Sequence, residues 1–384
     1  MPDHGWPPGF ASSDADRDAV LVLAHLQTIT PRELLALARE EGAAARCLAA
    51  LRRGAGTTGD RGIADSVDVG AVRASLREAG ARFVCWGDPD YPAPLRDLAD
   101  PPGWLFVRGG SPAPLAVAVV GARNASPYGS DAATLVGAGL AAAGVAVVSG
   151  AARGIDSAAH RGALDVGGPT VAVLGSGIDV PYPTSSRGLI RRIAAEGVVV
   201  SEYPPGMKAE RRRFPARNRI VAGLARAVVV VEGAEGSGSL ITADFAVQIG
   251  RTVFAVPGPI DNPLSAVPHG LIRDGASIVT EPEDVLRDIG VLPVVGDRAE
   301  PEDLDPDERA LFRSLSGAPA TVDSLARAAG IAPARALVVL SGLELRGLAA
   351  ASGGRYRRAA QKRKEAQTSD DPRNAASAAS AVTG

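Results

Sequence analysis

Seven short apolar runs constrain this chain most: LAVAVVG (115–121), VAVVSG (145–150), TVAVLGSG (170–177), VVVSEY (198–203), AVVVVEG (227–233), TVFAVPG (252–258) and SIVT (277–280), spaced by helix-length segments. The runs are continuous in apolar character instead of alternating. A strand of that kind must be covered on both faces, as in a parallel sheet held between two layers of helices. The intervals suit β-α crossovers. The expected fold class is therefore α/β: a Rossmann-like, doubly wound, mainly parallel sheet over residues 115–290.

In such a sheet, ligands bind beyond the carboxyl ends of the strands, where the loops gather. Those loops read Gly121-Ala122-Arg123-Asn124-Ala125-Ser126, Gly150-Ala151-Ala152-Arg153-Gly154, Gly175-Ser176-Gly177 and Gly233-Ala234-Glu235-Gly236-Ser237-Gly238-Ser239. Glycines let backbone N–H groups approach an anion, and helix N-termini add a partial positive charge. Gly150, Arg153, Gly154, Gly175 and Gly177 are accordingly phosphate-loop candidates. Asp156 is expected to cap the following helix, and His160, one turn on, to be structural.

Between Gly206 and Arg226 lie seven basic residues (Lys208, Arg211, Arg212, Arg213, Arg217, Arg219 and Arg226) against one acid, Glu210. The net charge of the chain is only −2, so nucleic-acid binding would have to come from such a local patch. Cations around one aromatic, Phe214, suit a groove that neutralises phosphates while a ring stacks on a base of a single strand. A solvated Arg-rich loop before a helix is the bland alternative. Pro215 should bias Phe214 towards an extended conformation.

Familiar nucleotide signatures are missing. The first turn has no G-x-G-x-x-G, which argues against NAD or FAD, and Ser239 stands where a phosphate loop would carry lysine. No nucleophile and base are coupled by spacing, and no cofactor or metal is expected. Cys47 and Cys85 are the only cysteines, which suits a reducing cytoplasm. The start lacks the pattern of a signal peptide, and no apolar run is long enough for a membrane span.

The flanks divide further. Residues 1–16 are expected to be disordered, and 17–80 to form a helical module of sterile-alpha-motif or helix-hairpin-helix type, with Thr30 as an N-cap before Pro31. Residues 81–114 read as a connecting segment and 291–307 as an acidic, self-repelling linker. Three amphipathic segments and a hairpin over 308–358 make a winged-helix module. Its candidate recognition helix, 332–345, carries only Arg335 as a basic residue, so a protein partner stands beside duplex DNA. Residues 359–384, with Lys362, Arg363 and Lys364, read as a disordered tail.

The series VAVVGAR…SPYG, SGAARGIDSAAH, GPTVAVLGSGIDVPYP, SEYPPG, FPARNRIVAGLARAVVVVE, SGSLITADFAV and GRTVFAVPG resembles the DNA-processing protein A family, also called DprA or Smf. The resemblance implies a non-catalytic protein that binds single-stranded DNA, forms a homodimer and helps load a RecA-type recombinase in natural transformation and recombination. It places the family's glycine-small-arginine turn on Gly121, Ala122 and Arg123, with Ser126 beside it. It also places the basic-aromatic motif on Lys208, Phe214, Arg217, Asn218 and Arg219, and a closing turn on Ser237, Gly238 and Ser239. The sequence departs from the family pattern at Ala151, Val267 and His269. Two other readings remain. One is a phosphoribohydrolase-like enzyme on the same fold, although the P-G-G-x-G-T-x-x-E turn of that group is missing. The other is a protein-interaction scaffold.

Overall fold

The computed structural model describes residues 5–291, 301, 303–315, 320–352 and 354–358. The central sheet has nine strands: β1 (Ala81–Cys85), β2 (Trp104–Gly109), β3 (Ala116–Val120), β4 (Ala146–Ser149), β5 (Thr170–Leu174), β6 (Val198–Ser201), β7 (Ala227–Val230), β8 (Thr252–Ala255) and β9 (Ser277–Ile278). Their order is β1-β2-β6-β5-β4-β3-β7-β8-β9. From β6 across to β9 every pairing is parallel, while β2 runs antiparallel to both β1 and β6. The seven apolar runs thus become seven neighbouring parallel strands. The chain order reverses between β3 and β7, the switch point beside which such sheets open a crevice.

Each strand is buried on both faces for the reason expected. Val117 and Val119 enter the core under α6 (Pro127–Ala142) and α7 (Ile155–Asp165). Ala118 and Val120 enter the core on the opposite face, under α9 (Arg213–Leu224) and α10 (Gly238–Gln248). The first of these faces also carries α8 (Arg187–Glu196) and, beyond it, five N-terminal helices: α1 (Asp14–Leu23), α2 (Pro31–Glu41), α3 (Ala44–Ala50), α4 (Thr58–Ser66) and α5 (Val69–Glu78). Thr30 caps α2 in a capping box with Glu33. Helices α11 (Ala266–Arg273) and α12 (Pro282–Asp288) complete the two layers.

Three boundary expectations need correction. Residues 5–16 are not disordered: Trp6 and Phe10 are buried, Trp6 Nε1 donates to the Pro101 carbonyl at 2.8 Å, and its ring lies 6.1 Å from that of Trp104. Two aromatics outweigh the Gly, Pro and polar residues around them, because each buries a large apolar area. Residues 81–114 are not a connector, since β1 and β2 extend the sheet through a pairing of β2 with β6 that lies far away in sequence. Acidic residues 303–308 are in part structural. Asp305 caps α13 (Pro306–Ser314), while Asp303 and Glu308 pair with Arg346 at 2.6 and 2.9 Å.

The C-terminal unit comprises α13, α14 (Val322–Ala329), α15 (Pro333–Leu345) and a sheet of β10 (Ala320–Thr321), β12 (Arg355–Arg358) and β11 (Ala349–Ser352) in that order. Three helices and a hairpin make a winged helix. On α15 the guanidinium of Arg335 is taken up by Asp307 at 2.8 Å, while Val338 and Leu345 are exposed. The expected tail at 359–384 lies outside the described residues.

Candidate nucleic-acid interface

The basic motif does not form a loop of free cations. Phe214 and Pro215 lie in the first turn of α9, where a proline needs no N–H partner, so Phe214 is helical and not extended. The three arginines of that helix, Arg213, Arg217 and Arg219, are all buried, while Arg211 and Arg212 just before it are exposed. Arg217 is 5% exposed and turns inward beneath the strand ends. Its guanidinium donates to the carbonyls of Gly150, at 2.7 Å, and Val173, and to Asn218 Oδ1 at 3.0 Å, and it faces Asp156 at 3.9 Å. Arg219, 3% exposed, makes a two-point ion pair with Glu202 at 2.6 and 2.9 Å and reaches Asp100 at 3.4 Å. Arg213 is buried against Glu210 and the Lys208 carbonyl. Arg219 thus spends its donors inside the protein, whereas Arg217 commits Nε and Nη1 internally and leaves Nη2 at the cavity wall without a hydrogen bond among the described residues.

Burial acts on the two inner arginines with opposite results. For Arg217, burial wins and draws the pKa down, with Asp156 acting against it. The carboxyl of Asp156 is likewise pushed up by burial, against the pull of Arg217. For Arg219, burial also disfavours the cation, but Glu202 and then Asp100 outweigh it and raise the pKa. Asp156 does not cap α7. That place belongs to Gly154, and the Asp156 carboxylate instead accepts the N–H groups of Gly150 and Ala152, holding the second loop.

His160 is structural, as expected. Its Nδ1 lies 2.7 Å from Thr170 Oγ1, whose own proton goes to the Val147 carbonyl, so Nδ1 carries the hydrogen. Nε2 is buried with no hydrogen-bond partner among the described residues. Burial first, then Arg217, lowers its pKa to about 3. The folded state thus keeps His160 neutral while the unfolded chain protonates it below about pH 6.5, so its contribution is present above that pH and is lost as pH falls towards 3. Urea unfolding is expected to show a loss of about 2 kcal/mol from this residue between roughly pH 7.5 and pH 5. His160→Gln should remove that component, and an unchanged pH slope in the variant would refute the assignment.

Several predicted phosphate-loop glycines are close-packed positions. A Cβ on Gly150 would lie 1.9 Å from the Arg217 guanidinium, and one on Gly175 would lie 2.9 Å from the Phe214 ring. Gly177 gives its N–H to the Met207 carbonyl, and Gly121 and Gly154 are pressed against the backbone of Glu232 and Ala122. Ser126 caps α6 and binds the buried Glu232 carboxylate through both its N–H and its hydroxyl. Asn218 donates to the Gly238 carbonyl at 3.1 Å, tying the Ser237–Ser239 turn to α9.

What faces solvent is a smaller constellation. Arg123 is exposed after β3, and its guanidinium carbon lies 5.4 Å from the centroid of the Phe214 ring. Such a stack holds a cation in place without using its hydrogen-bond donors. Arg153, Lys208 and Arg211 are exposed and make no ion pair among the described residues. Around the Arg123–Phe214 pair are two adjoining cavities. One, of 260 Å³, is lined by Gly121, Asn218 and the Ser237–Ser239 turn; the other, of 190 Å³, by Arg153, Tyr182, Pro183 and Ser185. The N-terminus of α10 opens on the first cavity with no side-chain cap. The sequence reading places the Tyr182-Pro183 pair in the third loop without assigning Tyr182 to the site, where its ring is 5.1 Å from that of Phe214. The available signal was an aromatic beside a proline in the third loop of a chain only 4% aromatic.

Among the described residues, no group of three or more His, Cys, Asp or Glu is placed to hold a metal. No single helix there is long and apolar enough to cross a membrane.

Comparison with known proteins bears on the family and the fold. The family model for DNA recombination-mediator protein A matches residues 82–290, which span all nine strands but the first residue of β1, and that for the DprA winged helix domain matches residues 296–355. A DNA processing protein DprA of Mycobacterium tuberculosis is 47% identical over 251 residues, a match that spans 64% of each chain and so less than two thirds of that relative. Protein Smf of Escherichia coli is 41% identical over 277 residues, covering 69% of this chain and 74% of its own. The X-ray structure of DNA processing protein A from Streptococcus pneumoniae superposes with a TM-score of 0.62 at 34% identity, over 72% of this chain and 98% of that one. A structure addressing the single-stranded DNA binding mode of DNA processing protein A from Helicobacter pylori gives 0.50 at 26% identity, over 55% and 97%. On the match across its sheet and on these relatives, the chain belongs to the DNA recombination-mediator protein A family, DprA or Smf.

Proposed function

We propose that this protein binds single-stranded DNA along the carboxyl edge of its sheet and, as a homodimer in the cytoplasm, passes the strand to a RecA-type recombinase in the recombination of incoming DNA. The observation that carries the DNA reading is the exposed Arg123 guanidinium stacked on Phe214 between two nucleotide-scale cavities. A planar cation on an aromatic ring offers a base a flat face and a phosphate a charge. Arg153, Lys208 and Arg211 supply further charge, and the uncapped N-terminus of α10 supplies N–H donors. Stacking and charge carry this reading, and such sites tolerate sequence. The protein works by holding the strand, with Asp156, His160 and Glu232 committed to internal bonds.

The test is the affinity for a fluorescent single strand across a salt series, against a duplex of equal length, for wild type and an Arg123→Ala/Lys208→Ala variant. Wild type should prefer the single strand. The variant should bind roughly ten- to a hundredfold more weakly, and its salt slope should be shallower by about 1.4, ~0.7 for each phosphate no longer neutralised. Its thermal unfolding should match wild type closely, since both side chains are exposed and neither has an ion pair among the described residues. Equal binding by the variant, or no single-strand binding by wild type, would overturn the reading.

A further inference from the structure

The smaller cavity contains an aromatic that the groove reading leaves unused, beside Arg153, to which that reading gives only a general charge. Among the described residues only two aromatics are exposed, Tyr128 at 45% and Tyr182 at 46%. The Tyr128 hydroxyl donates to the Pro257 carbonyl at 2.6 Å, whereas that of Tyr182 has no hydrogen bond among the described residues. Tyr182 sits between Pro181 and Pro183, whose rings restrict the backbone on either side of it. Arg153 lines the same cavity from the second loop, exposed and without an ion pair among the described residues. An aromatic half open to water beside an uncommitted guanidinium is the chemistry that receives a nucleotide, base on the ring and phosphate on the cation.

We propose that Tyr182 and Arg153 form a second nucleotide subsite, so that one single strand places two bases in the two cavities that share the Arg123–Phe214 wall. The inference rests on the single-strand reading above and specifies how that strand is seated. The competing role for Tyr182 is to prop Phe214, which its 5.1 Å ring contact also permits. The two roles differ in what happens when a single base is deleted from the DNA. A prop acts on the whole groove, while a subsite answers to one base.

The experiment uses the shortest oligonucleotide that wild type binds fully, so that the register cannot slide, and scans one abasic position along it for wild type, Tyr182→Ala and Tyr182→Phe. Wild type should show two sensitive positions. Tyr182→Ala should bind about 5- to 150-fold more weakly, the loss of one stacked base, and should become insensitive at one position while keeping the penalty at the other. Tyr182→Phe, which keeps the ring, should retain both. Wild-type affinity in Tyr182→Ala, or a fall of both penalties together, would overturn the subsite while leaving the groove intact. Failure of wild type to bind any single strand would overturn the groove itself, and the subsite with it.

Discussion

Arg219→Ala is expected to lower stability by about 3–5 kcal/mol, a fall of roughly 6–20 °C in Tm. The cost comes from what is left behind. Glu202, with 11% of its side chain exposed, would lose a two-point partner at 2.6 and 2.9 Å, and Asp100 would lose its cation at 3.4 Å. A buried carboxylate without its cation is far more costly than a missing pair. For the same reason Arg219→Met/Glu202→Leu should recover most of the loss, because it removes both charges and keeps the volume. Urea unfolding of the three proteins checks this. If Arg219→Ala lies within about 1 kcal/mol of wild type, the pair is not structural, and a direct DNA role for Arg219 returns.

Arg217→Ala is expected to cost a similar ~3–5 kcal/mol by a different route. Its guanidinium satisfies the carbonyls of Gly150 and Val173 at the ends of β4 and β5, and it is the cation that faces the buried Asp156 at 3.9 Å. Truncation leaves two strand-end carbonyls and a carboxylate without their partner. Adding Asp156→Asn should restore part of the stability, since the neutral amide needs no cation while its oxygen still accepts the loop N–H groups. Arg217 also lines both cavities from below, so the single variant should lose DNA affinity as well. Taken alone, that loss would resemble the removal of a phosphate-binding side chain. Measured beside Arg123→Ala/Lys208→Ala, which should unfold like wild type, it separates a residue that builds the groove from residues that touch the strand. No change in unfolding for Arg217→Ala would contradict the assignment.

The contrast between these variants marks how far the site is legible from residue order. Arg123 and Phe214 both stand out in the sequence, but not their stacking on one another, because they are 91 positions apart and meet only when β3 and α9 pack at the same sheet edge. Residue order leaves Asn218 between a base contact and a loop tie. Its bond to the Gly238 carbonyl shows the tie, and its place on the cavity wall leaves the base contact to experiment. The glycine loops suggest anion cradles on general grounds, yet Gly150 and Gly175 are small because Arg217 and Phe214 need the space. Tyr182 gains its place only beside Phe214, which lies on another element.

Residue order by itself determined the doubly wound sheet, the helical layers, the α2 cap and the winged helix, all of which follow from local pattern: continuous apolar runs, helical periodicity and capping residues. Tertiary structure alone decided which arginines are free. The run RRRFPARNR shows five arginines of identical charge and reach, and the turn of α9 then sends Arg213, Arg217 and Arg219 to 5, 5 and 3% exposure. Whether a buried guanidinium can be satisfied depends on carboxylates and strand-end carbonyls brought from elsewhere in the chain. The physical reason is that burial and pairing are properties of three-dimensional neighbours, and charge in a sequence carries no record of them.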